Sequence, residues 1–411
     1  MDGIPMIVSP DDHIVEPPTL WVDRVPNRYQ ELAPRIVHDR GRVAVSAGAT
    51  VYESDEDGAP TECWLFEDTL IPLKRISAAA GFSVDDMEMT TITFDEMRPG
   101  CYNQAARLND MDLAGIDASL CFPNEFVRFC GQRFLWTKDR GLGLQCVRAY
   151  NDFIVEEWCA GSEGRLVPLI IVPLWDASLA ALEVQRNARR GVHAACFSEI
   201  PPYLDLPSIH SGEWDPLFAA CEETQTVLMM HIGSSSRLPS TSPDSPVAVQ
   251  TASGAVNSAL SLLDWLFSGV FVRFPALEIG FAECQIGWLP YFLERADAVW
   301  EHNRAWNDVY EKIPEKPSSY FGSHVFCSFF SDEHGLKNLA AIGEGNVMFE
   351  TDYPHSDTNW PDSLKIAEAV TAGLDPATRD KVLRGNAARL LRVDRPPRIG
   401  DRPSASLEAR P

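Results

Sequence analysis

Short apolar runs punctuate this chain, and stretches with helical spacing of apolar positions separate them. The runs are MIVS at 6–9, DASLCFP at 117–123, RLVPLIIVPL at 165–174, GVHAACFSE at 191–199, TVLMMHIG at 226–233, LEIGFAE at 277–283, VFCSFF at 325–330 and NVMFETD at 346–352. Each is rich in apolar or β-branched residues and predicts a buried strand. Between them, 140–161 and 178–191 carry helix-like patterns that end at a glycine, and EWDPLFAACEETQ precedes the strand ending in His231. WPDSLKIAEAVTAGL and PATRDKVLRGNAARLLRV supply the last helices. A terminal Gly and an early Pro fit helix stops and starts.

Eight strands alternating with helices predict a parallel α/β barrel, the (β/α)8 or TIM barrel. An open doubly wound sheet is the competitor. It should carry a Gly-rich phosphate turn after the first strand, where this chain has DDHIVEPP instead. Residues 38–100 break the alternation with hairpin-like segments and polar turns, and are expected to form an N-terminal insertion over one barrel mouth. The barrel is expected to span residues 1–394, and the Pro-, Arg- and Ser-rich tail 395–411 to be disordered. A second irregular stretch, 234–254, follows His231 directly.

Charge narrows the partners. The net charge of −24 argues against a broad basic face for nucleic acid or an anionic membrane. A small-molecule substrate is expected instead. No run approaches the roughly 20 apolar residues of a membrane span. The opening MDGIPMIVSP lacks the basic and apolar order of a secretory leader. Ten scattered cysteines without a C-x-x-C pair fit a reducing cytoplasm and small core residues.

The chemistry concentrates at strand ends. Along a strand, alternate side chains share a face, so Asp11 and His13 point the same way and Asp12 the other. His231 ends an apolar strand, and Asp352 ends the last one, before Tyr-Pro. Singly, each has a bland reading: a core histidine, or a turn-capping aspartate. Together, the C-terminal strand ends of a barrel form one mouth. Asp11, His13, His231 and Asp352 there suit one divalent ion with open positions, zinc, manganese or iron. No strand ends in a Lys that carbamylation could turn into a bridge between two metals. Glu16 and Glu199 are strand-end acids that either face this mouth or cap turns. Arg237 offers a fork for a substrate carboxylate. His355 is placed to line the pocket or support Asp352, with Asp357 and Trp360 shaping the same loop.

With these motifs in order, from DDHIVEPP through HIGSSS and FAECQIGWLPYFLERAD to TDYPHSDTNWP, the chain resembles the amidohydrolase-2 family, in the branch of aminocarboxymuconate-semialdehyde decarboxylase. The resemblance implies a (β/α)8 barrel, one Zn or Mn ion and a homodimer. It makes Asp11, His13 and His231 metal ligands, and Asp352 a ligand or the proton-transfer group beside the ion. One departure stands out. Where the decarboxylases carry a second catalytic His after the sixth strand, this chain has Glu283, which serves as a proton carrier only with a raised pKa; an ion pair with Arg295 is the bland reading. Non-oxidative decarboxylation of a small aromatic or unsaturated carboxylic acid is the implied chemistry. Hydrolysis of a small amide, ester or lactone is the alternative, and a metal-free binding protein is a third reading.

Overall fold

The computed structural model describes residues 3–46 and 49–399. Among the described residues there are twelve strands, four of them consecutive in the insertion and the others separated by helices. Strand β1 (Ile7–Ile14) is followed by four strands of the insertion: β2 (Arg35–Ser46), β3 (Ala49–Ser54), β4 (Ala59–Phe66) and β5 (Thr69–Pro72). The remaining seven are β6 (Ile116–Pro123), β7 (Leu166–Val167), β8 (Ala194–Cys196), β9 (Val227–His231), β10 (Ile279–Ala282), β11 (Val325–Phe329) and β12 (Val347–Phe349). All eight expected barrel runs contain a strand.

These eight strands pair in parallel in two arcs, β1-β6-β7 and β8-β9-β10-β11-β12. The arcs join into a barrel. On one side, Ile170 bridges Ala195 in parallel. On the other, Asp352 N donates to Asp11 O at 3.0 Å, just past β12. The run 165–174 gives only two residues of regular strand, because Pro168 and Pro173 have no N–H for the ladder. Leu169, Ile170, Ile171 and Val172 are nonetheless fully buried, so the run fills a strand's place in the wall.

Helices cover the outside. Asn103 caps Gln104–Ala114, Asp139 caps Arg140–Phe153 and Asp176 caps Ala177–Ala188, each side-chain oxygen accepting a first-turn backbone N–H. The helix starting at Arg140 widens into a π-turn over Ile154–Trp158, and Lys381–Gly385 does the same within the last helical stretch. Residues 395–399 run beside the start of β1, where Met6 N donates to Arg398 O at 2.9 Å; residues 400–411 of the expected tail lie outside the described residues.

The insertion is a four-stranded antiparallel sheet in the order β3-β2-β4-β5. It does not float free of the barrel. Trp64 of β4 meets Trp21, from the loop after β1, edge-on at 4.9 Å, and Phe126, from the loop after β6, at 5.0 Å. Phe66 packs edge-on against Phe126 and Phe134. The strip beyond the sheet also reaches the loop after β12, where Ala79 N donates to Pro354 O at 2.6 Å. Its contacts are thus with loops at the C-terminal ends of the barrel strands.

Candidate metal centre

Strand β1 delivers the first donors. Its pairing with β6 shifts register between Ser9 and Asp12, and Asp11, Asp12 and His13 are all fully buried. Asp12 turns away from the mouth, as alternation predicts, and ties β1 to β6 and to the segment that follows β12. It accepts from Ser119 Oγ, from Thr351 Oγ1 at 2.6 Å and from Tyr353 N at 2.9 Å. The His13 carbonyl accepts from the buried Arg107 guanidinium, which also holds Gly100 O at 2.8 Å. The backbone under Asp11 and His13 is therefore fixed from both sides.

His231 arrives on β9, with its Nε2 3.1 Å from His13 Nε2. In both rings the other nitrogen faces a backbone carbonyl: His231 Nδ1 is 2.6 Å from Ile232 O, and His13 Nδ1 is 3.4 Å from Pro123 O. A proton on each Nδ1 leaves a lone pair on each Nε2. Burial, followed by the neighbouring His355, holds the His13 imidazole well below its ordinary pKa and keeps it neutral. Two lone pairs 3.1 Å apart repel unless a cation lies between them.

Carboxylates surround this pair. Asp11 lies 3.6 Å from His13 Nε2 and 3.4 Å from His231 Nε2. Asp352 Oδ1 is 3.4 Å from His13 Nε2 and 3.3 Å from His355 Nδ1. Glu283 Oε2 is 3.6 Å from His231 Nε2. Both oxygens of Asp11 and both of Asp352 are buried without a hydrogen bond. Buried carboxylate oxygens left unpaired cost several kcal/mol, so these oxygens fit a cation beside the imidazoles. Donor atoms of Asp11, His13 and His231 lie within 4.8 Å of one another, and so do those of His13, Asp352 and His355.

The carboxyls do not titrate alike. Burial, then the charge of Asp352, raises Asp11 and Glu283 well above the ordinary range. Burial would raise Asp352 too, but His355 and His13 beside it bring it below its usual value. Asp352 and Glu283 both take left-handed backbone, at φ 49° and 56°. For a non-glycine residue that costs about 1–3 kcal/mol and is concentrated at functional sites.

A profile of the amidohydrolase family matches residues 60–393. The chain belongs to the amidohydrolase family. Among curated relatives, the 2-amino-3-carboxymuconate-6-semialdehyde decarboxylase of Dictyostelium discoideum is 28% identical over 204 residues, which cover 46% of this chain and half of that protein's length. Among solved structures, an amidohydrolase from Mycobacterium avium subsp. paratuberculosis K-10 superposes with a TM-score of 0.68 at 18% identity, over 94% of this chain and 99% of the other. The 2,6-dihydroxybenzoate decarboxylase from Rhizobium gives 0.59 at 20%, over 95% and 100%. A dihydroxybenzoic acid decarboxylase from Polaromonas sp. JS666, solved with manganese and 2-nitroresorcinol, gives 0.57 at 22%, over 73% and 89%. At these identities the structural likeness is one of fold, the (β/α)8 barrel.

Within this amidohydrolase the remaining candidates separate. His355 joins the centre: its ring stacks on His13 at 3.6 Å, and its Nε2 is buried without a partner. Glu283 makes no ion pair with Arg295 among the described residues, and its neighbour is His231. Glu199 holds the loop after β9, accepting from Gly233 N at 3.1 Å and Ser235 Oγ at 2.9 Å, and burial pushes it up to about 7. Glu16 accepts from Asn124 N at 3.0 Å and Val127 N at 3.3 Å, so it ties the loop after β6 rather than facing the ion. Arg237 stays outside the cluster, exposed, with its guanidinium over the Tyr203 ring at 5.0 Å. Trp360 donates to Asp110 O at 3.0 Å and shapes the loop after β12.

Two residues of the centre escaped the sequence reading. Glu350, fully buried, accepts from Ser328 Oγ and from Glu283 N at 3.1 Å. It stands two residues before Asp352, the spacing that singled out Asp11 and His13. Phe129 lays its ring on His231 at 4.2 Å and 11°, and no spacing in the sequence marks it.

Proposed function

We propose that this amidohydrolase uses one divalent ion, Mn or Zn, to decarboxylate a small aromatic or unsaturated carboxylic acid without oxidation. The observation that carries the metal is the pair of Nε2 lone pairs 3.1 Å apart, ringed by four carboxylate oxygens that accept no hydrogen bond. Asp11, His13, His231 and Asp352 hold the ion. When bound, it supplies positive charge to a carboxylate or hydroxyl oxygen of the substrate. The names of the relatives point to loss of carbon dioxide as the reaction.

The chain's own groups divide the remaining work. The C–C bond to the carboxyl group breaks, its electron pair stays on the substrate carbon, and a proton replaces the carbon dioxide that leaves. Glu283 and Asp352 are the pair that carries this proton. Opposed pKa directions in one site assign acid and base roles. Glu283, held up by burial and by Asp352, keeps the proton on its carboxyl; Asp352, beside His13 and His355, stays ionised. Phe129 and the fully buried Phe122 exclude water from the imidazoles.

Glu283 in place of the decarboxylases' His also supports a second reading, in which a carboxylate takes the proton of an attacking water and an amide, ester or lactone is hydrolysed. One experiment separates them. Purified protein is assayed for bound metal. It is then given a panel of hydroxylated aromatic and unsaturated carboxylic acids, with carbon dioxide followed, and a panel of amides, esters and lactones. We expect carbon dioxide release that a chelator abolishes and Mn restores. Hydrolysis without carbon dioxide release, or turnover indifferent to chelation, would overturn the proposal. We place the protein in the cytoplasm as a homodimer. The ten free cysteines, nine of them buried, support the reducing compartment. No helix among the described residues is long and apolar enough to cross a membrane.

A further inference from the structure

The chain turns sharply where β9 ends. Ser234 N donates to His231 O at 3.0 Å and closes a four-residue turn. Its third residue, Gly233, has φ +83°, while Ile232 before it keeps a negative φ. A positive φ at the third position alone makes this a type II turn, which glycine adopts freely. A Cβ at Gly233 would also come within 2.9 Å of the Phe129 ring. Type I and type II turns share their ends and differ by a flip of the central peptide. Here that peptide joins Ile232 to Gly233.

Both poles of this one peptide are occupied. Its carbonyl, Ile232 O, faces His231 Nδ1 at 2.6 Å, and its N–H donates to Glu199 Oε1 at 3.1 Å. A buried carboxyl group, a peptide unit and an imidazole therefore lie in series, ending at the His231 Nε2 that faces His13. Glu199 is itself held on all sides. Oε1 also accepts from Ser235 Oγ at 2.9 Å and Asn257 Nδ2 at 3.4 Å, Glu199 N donates to Ser234 Oγ at 2.9 Å, and Glu199 O accepts from Ser261 Oγ. Asn257 and Ser261 stand on the helix Ala255–Phe267. Glu199 makes no hydrogen bond to Asp11, His13, His231 or Asp352 among the described residues.

A flip of the peptide would turn its N–H toward His231 Nδ1. The ring would then carry its proton on Nε2 and lose the lone pair there. Glu199 accepts from the N–H only in the present orientation, and so stabilises that orientation. A hydrogen bond at the N–H also strengthens the carbonyl as an acceptor. The bond at the far nitrogen of a metal-binding histidine fixes its tautomer and ring direction. We infer that Glu199 is a positioning residue for His231, acting through the Ile232–Gly233 peptide to keep Nε2 unprotonated and aimed at the ion. The inference rests on the metal-centre reading above and extends it to a residue outside the ligand set.

Metal-stripped protein, titrated with Mn in a calorimeter, tests it. Glu199→Leu removes the acceptor and should weaken Mn binding about 10- to 100-fold. Glu199→Gln keeps Oε1 and changes only Oε2, which accepts no hydrogen bond, so it should restore the parent's affinity. Ser235→Ala removes another donor to the same oxygen but leaves the peptide bonded, and should bind Mn as the parent does. Imidazole nitrogen NMR of the metal-stripped proteins supplies the second readout. His231 should be the Nδ1–H tautomer in the parent and in Glu199→Gln, and a mixture with Nε2–H in Glu199→Leu. If Glu199→Leu does not fold, Glu199→Asp carries the test, since it draws the carboxyl back from Gly233 N by one methylene. Glu199→Leu or Glu199→Asp with the parent's affinity and tautomer, whatever its thermal stability, overturns the inference, and so does a Glu199→Gln variant as weak as Glu199→Leu. The two readings fail separately. A parent that binds no Mn sinks the metal centre and leaves the tautomers to decide the role of Glu199; a parent that binds Mn beside indifferent Glu199 variants does the reverse.

Discussion

His231 contributes a single donor atom to the centre, yet it is also packed between Phe122 and Phe129. His231→Ala removes the donor and leaves the strand Val227–Met230 apolar and buried. We expect this variant to fold, to lose most of its bound metal in an elemental analysis, and to lose turnover. Asp352→Asn is the sharper change. It keeps the size and one oxygen as a ligand, but it cannot carry a proton at neutral pH. Metal should be partly retained while kcat falls at least about a hundredfold, the scale of a lost acid–base group. A variant with full metal and the parent kcat would remove Asp352 from proton transfer. The proposed ligand residues could be singled out in the sequence because each lies at or near the C-terminal end of a strand, and the ends of barrel strands converge. Arg237 was misleading for the same reason Phe129 was invisible. Loop side chains take their direction from local backbone turns and not from a period, and the sequence displays only periods.

At the level of elements, the apolar runs located all eight barrel strands, since a strand buried on both faces needs an unbroken apolar stretch. What they did not show was length. The two prolines of 165–174 shortened β7 to Leu166–Val167, and the insertion's sheet began earlier than expected, at Arg35. Nor did they show how loops are tied to strands. Glu16 does this for β1 and the loop after β6. Burial lifts its carboxyl from an ordinary 4.5 to about 7. Between those values the folded chain keeps a proton that the unfolded chain has released. Its contribution is therefore complete below about 4.5 and is lost as pH rises to about 7. Glu16→Gln keeps an oxygen for Asn124 and Val127 but cannot ionise. Urea unfolding of parent and variant at pH 5 and pH 8 should show the variant gaining relative stability at the higher pH, by on the order of 3 kcal/mol. An equal difference at both pH values would show that Glu16 does not titrate in this window.

For the molecule as a whole, the insertion is the test of what counts as a unit. We propose that residues 38–100 are an extension of the barrel rather than an independent domain. Their large aromatics bury against the barrel loops: Trp64 and Phe66 meet Trp21, Phe126 and Phe134, all outside the segment. Expressed alone, the segment should show no cooperative thermal transition, because too little core remains; a sharp transition would make it a domain. Barrel closure has a further consequence, in time rather than in space. Asp11 and His13 leave the ribosome early, but Asp352, whose amide bonds to Asp11 O, lies 339 residues after His13. At about 5–20 residues per second, the first two ligands wait roughly 17 to 70 s for the last. If these residues hold the ion as proposed, the nascent chain presents a half-built chelate throughout synthesis, and a product released before residue 352 never completes it.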